Sequence, residues 1–234
     1  MTDKITIELP ADELAKGLKA VLPHASNEKT LPGICQVNLE ACPAAAYLSA
    51  TDRYTMGRYR IEAPTDGEPF PTLQVGLETA DAKAVLKLAQ NRAKIRTNVM
   101  PIKFEIVYGE LGTADAAKVT VSDGLGNSLS FLSNAGTFPA VKGILDGAAE
   151  RAQNGEPAIY HRYTGKFLSR FEAACDRHEP YIDTYAAEST KPMLVTVGEN
   201  FAGVIMVVRP ADDEPKLPAW VANAYHDHPD KAVA

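Results

Sequence analysis

The start of the chain alternates apolar and polar residues and then changes to a helical period. From Lys4 to Leu9 every second side chain is apolar, which predicts a strand with one buried face. Pro10 then opens a helix at about Ala11, because proline fits the first turn of a helix but not its interior. The apolar stripe of this helix consists of Leu14, Leu18, Val21 and Leu22. Pro23 ends the helix, so the chain begins with a strand and an amphipathic helix.

This order of elements occurs three times along the chain. The first unit continues with predicted strands at 34–40, 46–50 and 55–62. The second unit has a strand, a helix and three strands at 72–77, 80–91, 102–108, 118–122 and 128–133. The third unit has a strand at 158–163 and a helix that begins at Thr164. Its three further strands are at 181–186, 193–197 and 203–208. Three degenerate copies of a β-α-β-β-β unit predict an α+β fold made of internal repeats.

Two polar, proline-containing stretches divide the chain into segments. Residues 146–157 have the sequence DGAAERAQNGEP, which favours a linker, and the chain from Pro210 is acidic and proline-rich at first. We therefore predict a domain of two units at 1–145, a linker at 146–157, a half domain at 158–209 and a flexible tail at 210–234.

Composition indicates an ordinary globular protein. Of the 234 residues, 45% are hydrophobic and 23% are charged, and no apolar run is long enough to span a membrane. The N-terminus shows no signal peptide, so we expect a cytoplasmic protein without a membrane partner. Cys35, Cys42 and Cys175 lack the spacing of metal ligands and are expected to be reduced thiols. A net charge of −6 argues against a protein that coats nucleic acid with its whole surface, but it allows one basic face.

Basic residues lie on the polar stripe of each predicted helix. They are Lys16, Lys19, Lys83, Lys87, Lys94, Lys166, Arg170 and Arg177. On a single helix such residues are usually just solvated. Three equivalent stripes in an acidic protein favour a functional role: if the helices line one concave surface, these charges would face the phosphates of double-stranded DNA. Since no base-reading or base-stacking residues accompany these charges, binding without sequence preference is expected.

Three short motifs give the chain a resemblance to a known family. They are Ala50-Thr51-Asp52 with its following strand, Phe138-Pro139, and the strand Val204–Arg209. In this order and spacing they resemble the bacterial DNA sliding clamp, the beta subunit of DNA polymerase III. Residues 5–209 look like the middle domain of that clamp followed by the second half of its last domain. The resemblance implies the DNA clamp fold, with helices lining an inner face and antiparallel sheets forming the other.

The resemblance also implies a groove that binds short extended peptides. The matching positions are Thr51, Tyr54, Met56, Pro139, Ile144, Val204, Met206, Val208 and Arg209. Methionine would give adaptable contacts, and Arg209 would meet a peptide carbonyl or carboxylate. Taken one by one, Val204, Met206 and Val208 are also ordinary strand residues. The chain departs from the family at Arg53-Tyr54-Thr55, where the clamps usually have Gly-His-Arg, and at Gly143 and Val207, where they often have a basic residue and a proline.

A clamp-like protein is expected to hold DNA and to tether a polymerase, and its partners would include a polymerase or other clamp-binding protein and a clamp loader. If a ring needs about twelve units, as in the family, three units per chain predict a homo-oligomer of four chains. The alternative is a monomeric adaptor or decoy that binds the peptide without encircling DNA.

Other chemistry has weaker support in the sequence. Asp52 lies in a Thr-Asp turn, where such a side chain usually bonds the local backbone. His226 and His228 form a His-x-His pair without a clear third ligand, although a hydrolase that uses them stays an alternative. We expect no enzyme, no metal and no cofactor, because no nucleophile–base pair or phosphate-binding glycine loop is present in the sequence. Lys216–Trp220 resembles a clamp-binding peptide, which suggests that it folds into a clamp pocket of its own chain or of a neighbour.

Overall fold

A computed structural model of the chain shows helices packed on antiparallel sheets. The structure describes residues 4–64, 68–95, 101–108, 117–133, 137–154, 162–186 and 190–208. The predicted α+β class is confirmed. Across these ranges, no helix has the length and apolar character that a membrane span requires.

The first two repeat units form one body by exchanging strands. The first unit consists of β1 (Lys4–Leu9), α1 (Ala11–Val21), β2 (Gln36–Cys42), β3 (Ala45–Thr51) and β4 (Thr55–Glu62). The second consists of β5 (Leu73–Glu78), α2 (Thr79–Ala93), β6 (Ile102–Tyr108), β7 (Ala117–Ser122) and β8 (Ser128–Leu132). β1 pairs with β6 and β5 pairs with β2, so each unit gives its first strand to the sheet of the other. Every element predicted for these two units is present.

The third unit extends a sheet of the first two. Its strands are β9 (Asp183–Tyr185), β10 (Met193–Val197) and β11 (Phe201–Ile205). β11 pairs with β4, which gives a seven-stranded sheet in the order β5-β2-β3-β4-β11-β10-β9 beside a four-stranded sheet in the order β1-β6-β7-β8. Residues of β4 and β11 are therefore neighbours although about 150 positions separate them in the sequence.

The α1 helix packs closely on one face of the larger sheet. Leu14, Leu18 and Val21 of its apolar stripe are buried, and the helix lies side by side with α2. A Cβ atom at Gly17 would lie 2.7 Å from the Leu48 side chain and 2.8 Å from the Tyr59 ring. Only glycine therefore allows α1 to approach β3 and β4 to this distance.

The linker predicted at 146–157 is instead helical as far as Asn154. The helix α3 spans Val141–Asn154 and packs on β10 and β11. The linker prediction rested on the glycines and proline of this stretch. However, Val141, Leu145 and Ala148 recur at helical spacing, and the alanine, glutamate, arginine and glutamine around them are good helix formers.

The third unit is less regular than its repeat pattern predicts. The helix expected from Thr164 is a single turn, α4 (Gly165–Leu168), followed by the 3-10 helix Ser169–Ala174. The 3-10 helix ends at Ala174, and the carboxylate of Asp176 just beyond it accepts hydrogen bonds from the backbone amides of residues 178 and 179. The strand expected at 181–186 is reduced to β9. No strand includes residues 162 and 163, and 158–161 lie outside the described residues.

Candidate partner-binding and DNA-facing surfaces

A row of side chains crosses four neighbouring strands on one face of the seven-stranded sheet. Thr51 of β3 lies opposite Met56 of β4, and Met56 lies opposite Val204 of β11. Val204 in turn lies opposite Leu194 of β10. Because directly opposed residues of antiparallel strands point to the same side, these four side chains share one face. We call Thr51, Met56, Val204 and Leu194 the floor row. It brings together three residues that were predicted for the peptide groove.

The α3 helix and Phe138 just before it cover the centre of the floor row. Phe138, Val141 and Ala148 form a small buried cluster with Met56 and Val204, separate from the main core. The side chains of Leu145 and Leu194 pack on this cluster and are partly buried. The centre of the predicted groove is therefore filled by a segment of the same chain.

The other residues predicted for the groove lie around this covered centre. Pro139 and Ile144 belong to the α3 segment but are exposed, whereas their neighbours Phe138 and Val141 make the contacts. Met206 is exposed just past the end of β11, and its amide donates to the carbonyl of Tyr54 over 2.9 Å. The amide of Val208, which is also exposed, donates to the carbonyl of residue 162. Arg209 lies outside the described residues.

The turn between β3 and β4 is held by its own side chains and by Arg170. One carboxylate oxygen of Asp52 accepts hydrogen bonds from the amides of Tyr54 (3.1 Å) and Thr55 (2.9 Å). The other oxygen lies 2.6 Å from Nη1 of Arg170. The hydroxyl of Thr51 donates to the carbonyl of Thr55 over 2.8 Å. Asp52 therefore orders the turn, as its position in a Thr-Asp turn suggests.

Four side chains from this turn and from the α4 region form a stack. The rings of Tyr54 and Phe167 are 5.2 Å apart and nearly parallel, with 15° between their planes. The guanidinium of Arg53 lies 5.9 Å from the Tyr54 ring, and that of Arg170 lies 4.8 Å from the Phe167 ring. Arg53 occupies a left-handed backbone conformation (φ 78°), which favours glycine. Tyr54 keeps 51% of its surface exposed and is available to a partner.

The opposite face of the same strands packs into the main core. Gly57 and Gly203 lie opposite each other on this face and leave room for the rings of Phe171 and His24. His24 is fully buried, and its ring lies 4.8 Å from that of Phe171. Within the described residues neither ring nitrogen of His24 has a hydrogen-bond partner. Burial, helped by the nearby charge of Arg170, lowers the pKa of His24 to about 3, so the ring is neutral.

The seven-stranded sheet separates α1 from α3. Gly17 of α1 touches Tyr59, which points to the same side of β4 as Gly57 because the two are two residues apart. Met56 points to the other side of β4, where α3 covers it. The side that carries α1 and the side that carries the floor row are therefore opposite faces of one sheet.

Comparison with known proteins gives matches at the level of structure. No protein-family model matches the chain, and no curated protein does. The beta subunit of DNA polymerase III from Thermotoga maritima superposes with a TM-score of 0.63 at 14% identity, covering 88% of this chain and 66% of that one. The sliding clamp from Pseudomonas aeruginosa gives 0.61 at 12% identity, with coverage of 88% and 66%. The clamp from Bacillus subtilis gives 0.58 at 14% identity, with coverage of 89% and 64%.

The chain has the fold of a bacterial DNA sliding clamp. It spans about two thirds of the length of these clamps, which agrees with three repeat units in a shortened clamp-like protein. The predicted clamp fold is thus confirmed.

Most basic residues predicted for the inner face of the clamp fold are exposed. These are Lys16, Lys19, Lys83, Lys87, Lys94, Lys166 and Arg177. Nζ of Lys16 lies 2.9 Å from a carboxylate oxygen of Glu13, and this hydrogen bond raises the lysine pKa. Arg170 is the exception: it points inward, and its charge is balanced by Asp52. It is therefore removed from the DNA-facing set.

Sequence reasoning missed several residues that shape the site of this clamp fold. Val141, Leu145 and Ala148 of α3 pack on the floor row. Their helical spacing could have predicted this helix from the sequence. Phe167 and Arg170 reach the turn from a distant segment, which no local pattern indicates.

The metal-binding residues considered in the sequence, His226 and His228, lie in the tail. In the ranges that the structure describes, no group of three or more His, Cys, Asp or Glu side chains has the arrangement to hold a metal ion. His226, His228 and the peptide-like segment Lys216–Trp220 lie outside the described residues.

Proposed function

We propose that the chain is a non-catalytic, cytoplasmic processivity factor of the sliding-clamp type. It holds double-stranded DNA on the side of α1 and α2 and binds a short peptide of a polymerase, or of another clamp-binding protein, on the opposite side. The observation that carries the proposal is the sheet that separates the exposed lysines of α1 and α2 from the floor row. A tethering protein needs DNA contacts that read no bases and a separate surface for the enzyme that it holds.

Exposed lysines on α1 and α2 support the DNA-binding half of the proposal. Lys83 and Lys87 are one turn apart on α2, and Lys19 is exposed on the adjacent α1. Lysines contact the phosphates of DNA without selecting a base sequence, and this binding weakens as the salt concentration rises. The proposal therefore predicts non-specific, salt-sensitive binding.

Neutralising these lysines tests the DNA-binding half. The double variant Lys83→Gln/Lys87→Gln should bind a 30-base-pair duplex more weakly at low salt and show a salt slope reduced by about two. The matched control is Lys142→Gln on α3, an exposed lysine on the other face of the sheet. Equal loss of binding in both variants would contradict the assignment of faces, and no binding by the unmodified protein would contradict the DNA function.

Exposed apolar side chains support the peptide-binding half. Tyr54 follows the β3 end of the floor row, and Met206 and Val208 follow its β11 strand; each of the three exposes at least 39% of its surface. A peptide with apolar anchors would bury these side chains, with Met206 adapting to its shape. The test is fluorescence anisotropy with a clamp-binding peptide, comparing the unmodified chain with Met206→Asp and with the exposed-site control Leu132→Asp on β8.

Assembly into a ring would complete the clamp function. β9 is exposed throughout, and among the described strands it pairs with β10 alone, so one of its edges is open to pairing. Four chains of three units would supply the roughly twelve units of a clamp ring. A clamp loader would then open the ring on DNA.

A monomeric adaptor is the second candidate function, and one observation favours it. The floor row takes Thr51 and Met56 from the first unit and Leu194 and Val204 from the third, so one chain supplies the whole face. Light scattering during size-exclusion chromatography separates the two candidates. A mass near four times 25.2 kDa supports the ring, whereas a monomer at all concentrations that still binds peptide supports the adaptor.

A further inference from the structure

The α3 helix has a narrow attachment to the rest of the molecule. Of its 14 residues, only Val141 and Ala148 are buried. Their contacts belong to the small cluster around Met56 and Val204, and not to the main core. An element whose buried contacts all lie outside the main core can detach without exposing that core.

Two glycines weaken α3 without serving its packing. A Cβ atom at Gly143 would meet no atom within 4 Å, and one at Gly147 would meet only the end of the flexible Arg151 side chain at 3.4 Å. Neither residue has a positive φ, so neither backbone position needs glycine. Glycine in a helix interior lowers helix stability relative to alanine. The sequence therefore makes α3 less stable than its contacts require.

The residues of the sheet that pack under α3 are apolar: they are Met56, Val204 and Leu194. The hydroxyl of Thr51 is already bonded to the carbonyl of Thr55. Arg58, two residues beyond Met56 on β4, is paired with Glu40 at 3.1 Å and lies over the ring of Tyr47. A replacement for α3 must consequently offer apolar side chains and no buried charge.

We propose that α3 is an internal cover that leaves the floor row when a partner binds, and that the partner is a segment presenting uncharged apolar side chains at the spacing of Phe138, Val141, Leu145 and Ala148. This inference rests on the proposed function, because it names how the peptide site opens and what it accepts. Binding then competes with α3, so the stability of the helix sets the affinity for the partner.

Two variants change the cover in opposite directions. Gly143→Ala/Gly147→Ala strengthens α3 at positions where a methyl group fits. Ala148→Glu places a charge in the buried cluster and releases α3, and its matched control is Ala84→Glu at an exposed alanine of α2. Hydrogen exchange by mass spectrometry follows α3, β4 and β11 in the full chain. The binding probe is a synthetic peptide of residues 137–154 with both glycines replaced by alanine.

The expected result has two parts. Amides of α3 exchange at least 100-fold faster than those of β4 and β11, and the double alanine variant slows α3 exchange by about 10- to 30-fold. The probe binds Ala148→Glu at least tenfold more tightly than the unmodified chain, while Ala84→Glu leaves its affinity unchanged. The double alanine variant binds the probe more weakly than the unmodified chain.

Three outcomes would contradict the proposal that α3 is an internal cover. They are exchange of α3 together with β4 and β11, equal affinity of all variants for the probe, and no binding of the probe to Ala148→Glu. Failure of the proposed function looks different: the cover behaves as expected with this probe, but clamp-binding peptides and duplex DNA do not bind any variant.

Discussion

Arg170 and Asp52 form an ion pair that joins the third repeat unit to the turn between β3 and β4. Nη1 of Arg170 lies 2.6 Å from Oδ2 of Asp52, and the two side chains are only 16% and 11% exposed. The same guanidinium group also bonds the hydroxyl of Thr55. A pair so well shielded from solvent fixes the position of the turn relative to α4.

Removing the arginine should leave a shielded carboxylate without its partner. We expect Arg170→Met to lower the free energy of unfolding by about 3 kcal/mol, because the uncompensated charge of Asp52 costs more than the methionine gains by packing. Urea denaturation measures this change. The double variant Arg170→Met/Asp52→Asn should recover at least half of the loss. If it is as unstable as the single variant, the pair is not the cause.

His24 should make stability depend on pH. Its pKa is lowered to about 3 by burial and by Arg170, while Asp52 acts in the opposite direction. The unfolded chain binds a proton near pH 6.5 and the folded chain does not. Stability from this residue is therefore complete above pH 6.5 and is lost as the pH falls towards 3, by up to about 1.4 kcal/mol per pH unit.

The matching measurement compares unfolding curves of the unmodified chain and His24→Leu. Between pH 6.5 and 5, above the range where most carboxylates titrate, the variant should show a flatter dependence. An identical slope in both proteins would mean that His24 does not stay neutral in the folded state.

The backbone at Arg53 predicts an unusual order of stabilities. Because its φ is 78°, Arg53→Gly should be more stable than Arg53→Ala by about 1 kcal/mol. Both variants lose the exposed ion pair with Glu28, so their difference isolates the backbone. Thermal unfolding gives the comparison. Equal melting temperatures would argue that the turn does not hold the left-handed conformation.

Gly203 should tolerate no side chain. An added Cβ atom would clash with the backbone carbonyl oxygen of Met56 and lie 2.8 Å from the Phe171 ring. We expect Gly203→Ala to cost about 2–3 kcal/mol in a urea titration, because the backbone of a central strand cannot move aside. Gly143→Ala, at an open position, is the control and should not destabilise the protein. A similar, small effect at both positions would contradict the close approach of β4 and β11.

The sequence predicted local elements well and long-range contacts poorly. Alternation from Lys4 to Leu9 identifies β1, but nothing in that pattern says that β1 pairs with β6. α3 was missed because its glycines resemble those of a loop, although the apolar residues that pack it on the floor row recur at helical spacing. In the sequence, Arg170 lies on the polar stripe of a predicted helix. Only the fold shows that it points inward and pairs with Asp52, which is 118 residues away.

The residues predicted for the groove come together only in part, for the same reason. A resemblance to clamps placed Thr51, Met56 and Val204 in one site, and the strand register does bring them together. The resemblance did not indicate that α3 fills the centre of the predicted groove. The residues of α3 that do so follow the Phe138-Pro139 motif and are not part of it.

Retention on closed DNA tests the proposed sliding-clamp function most directly, because a clamp of several chains would encircle the duplex. The protein is bound to linear duplex at low salt, the ends are ligated, and the mixture is then chromatographed in 0.5 M salt. We expect the protein to stay with the circle and to be lost when one restriction cut opens it, because a ring is held by topology and not by phosphate contacts alone. Loss from the closed circle at the same salt concentration, as from linear DNA, would contradict it.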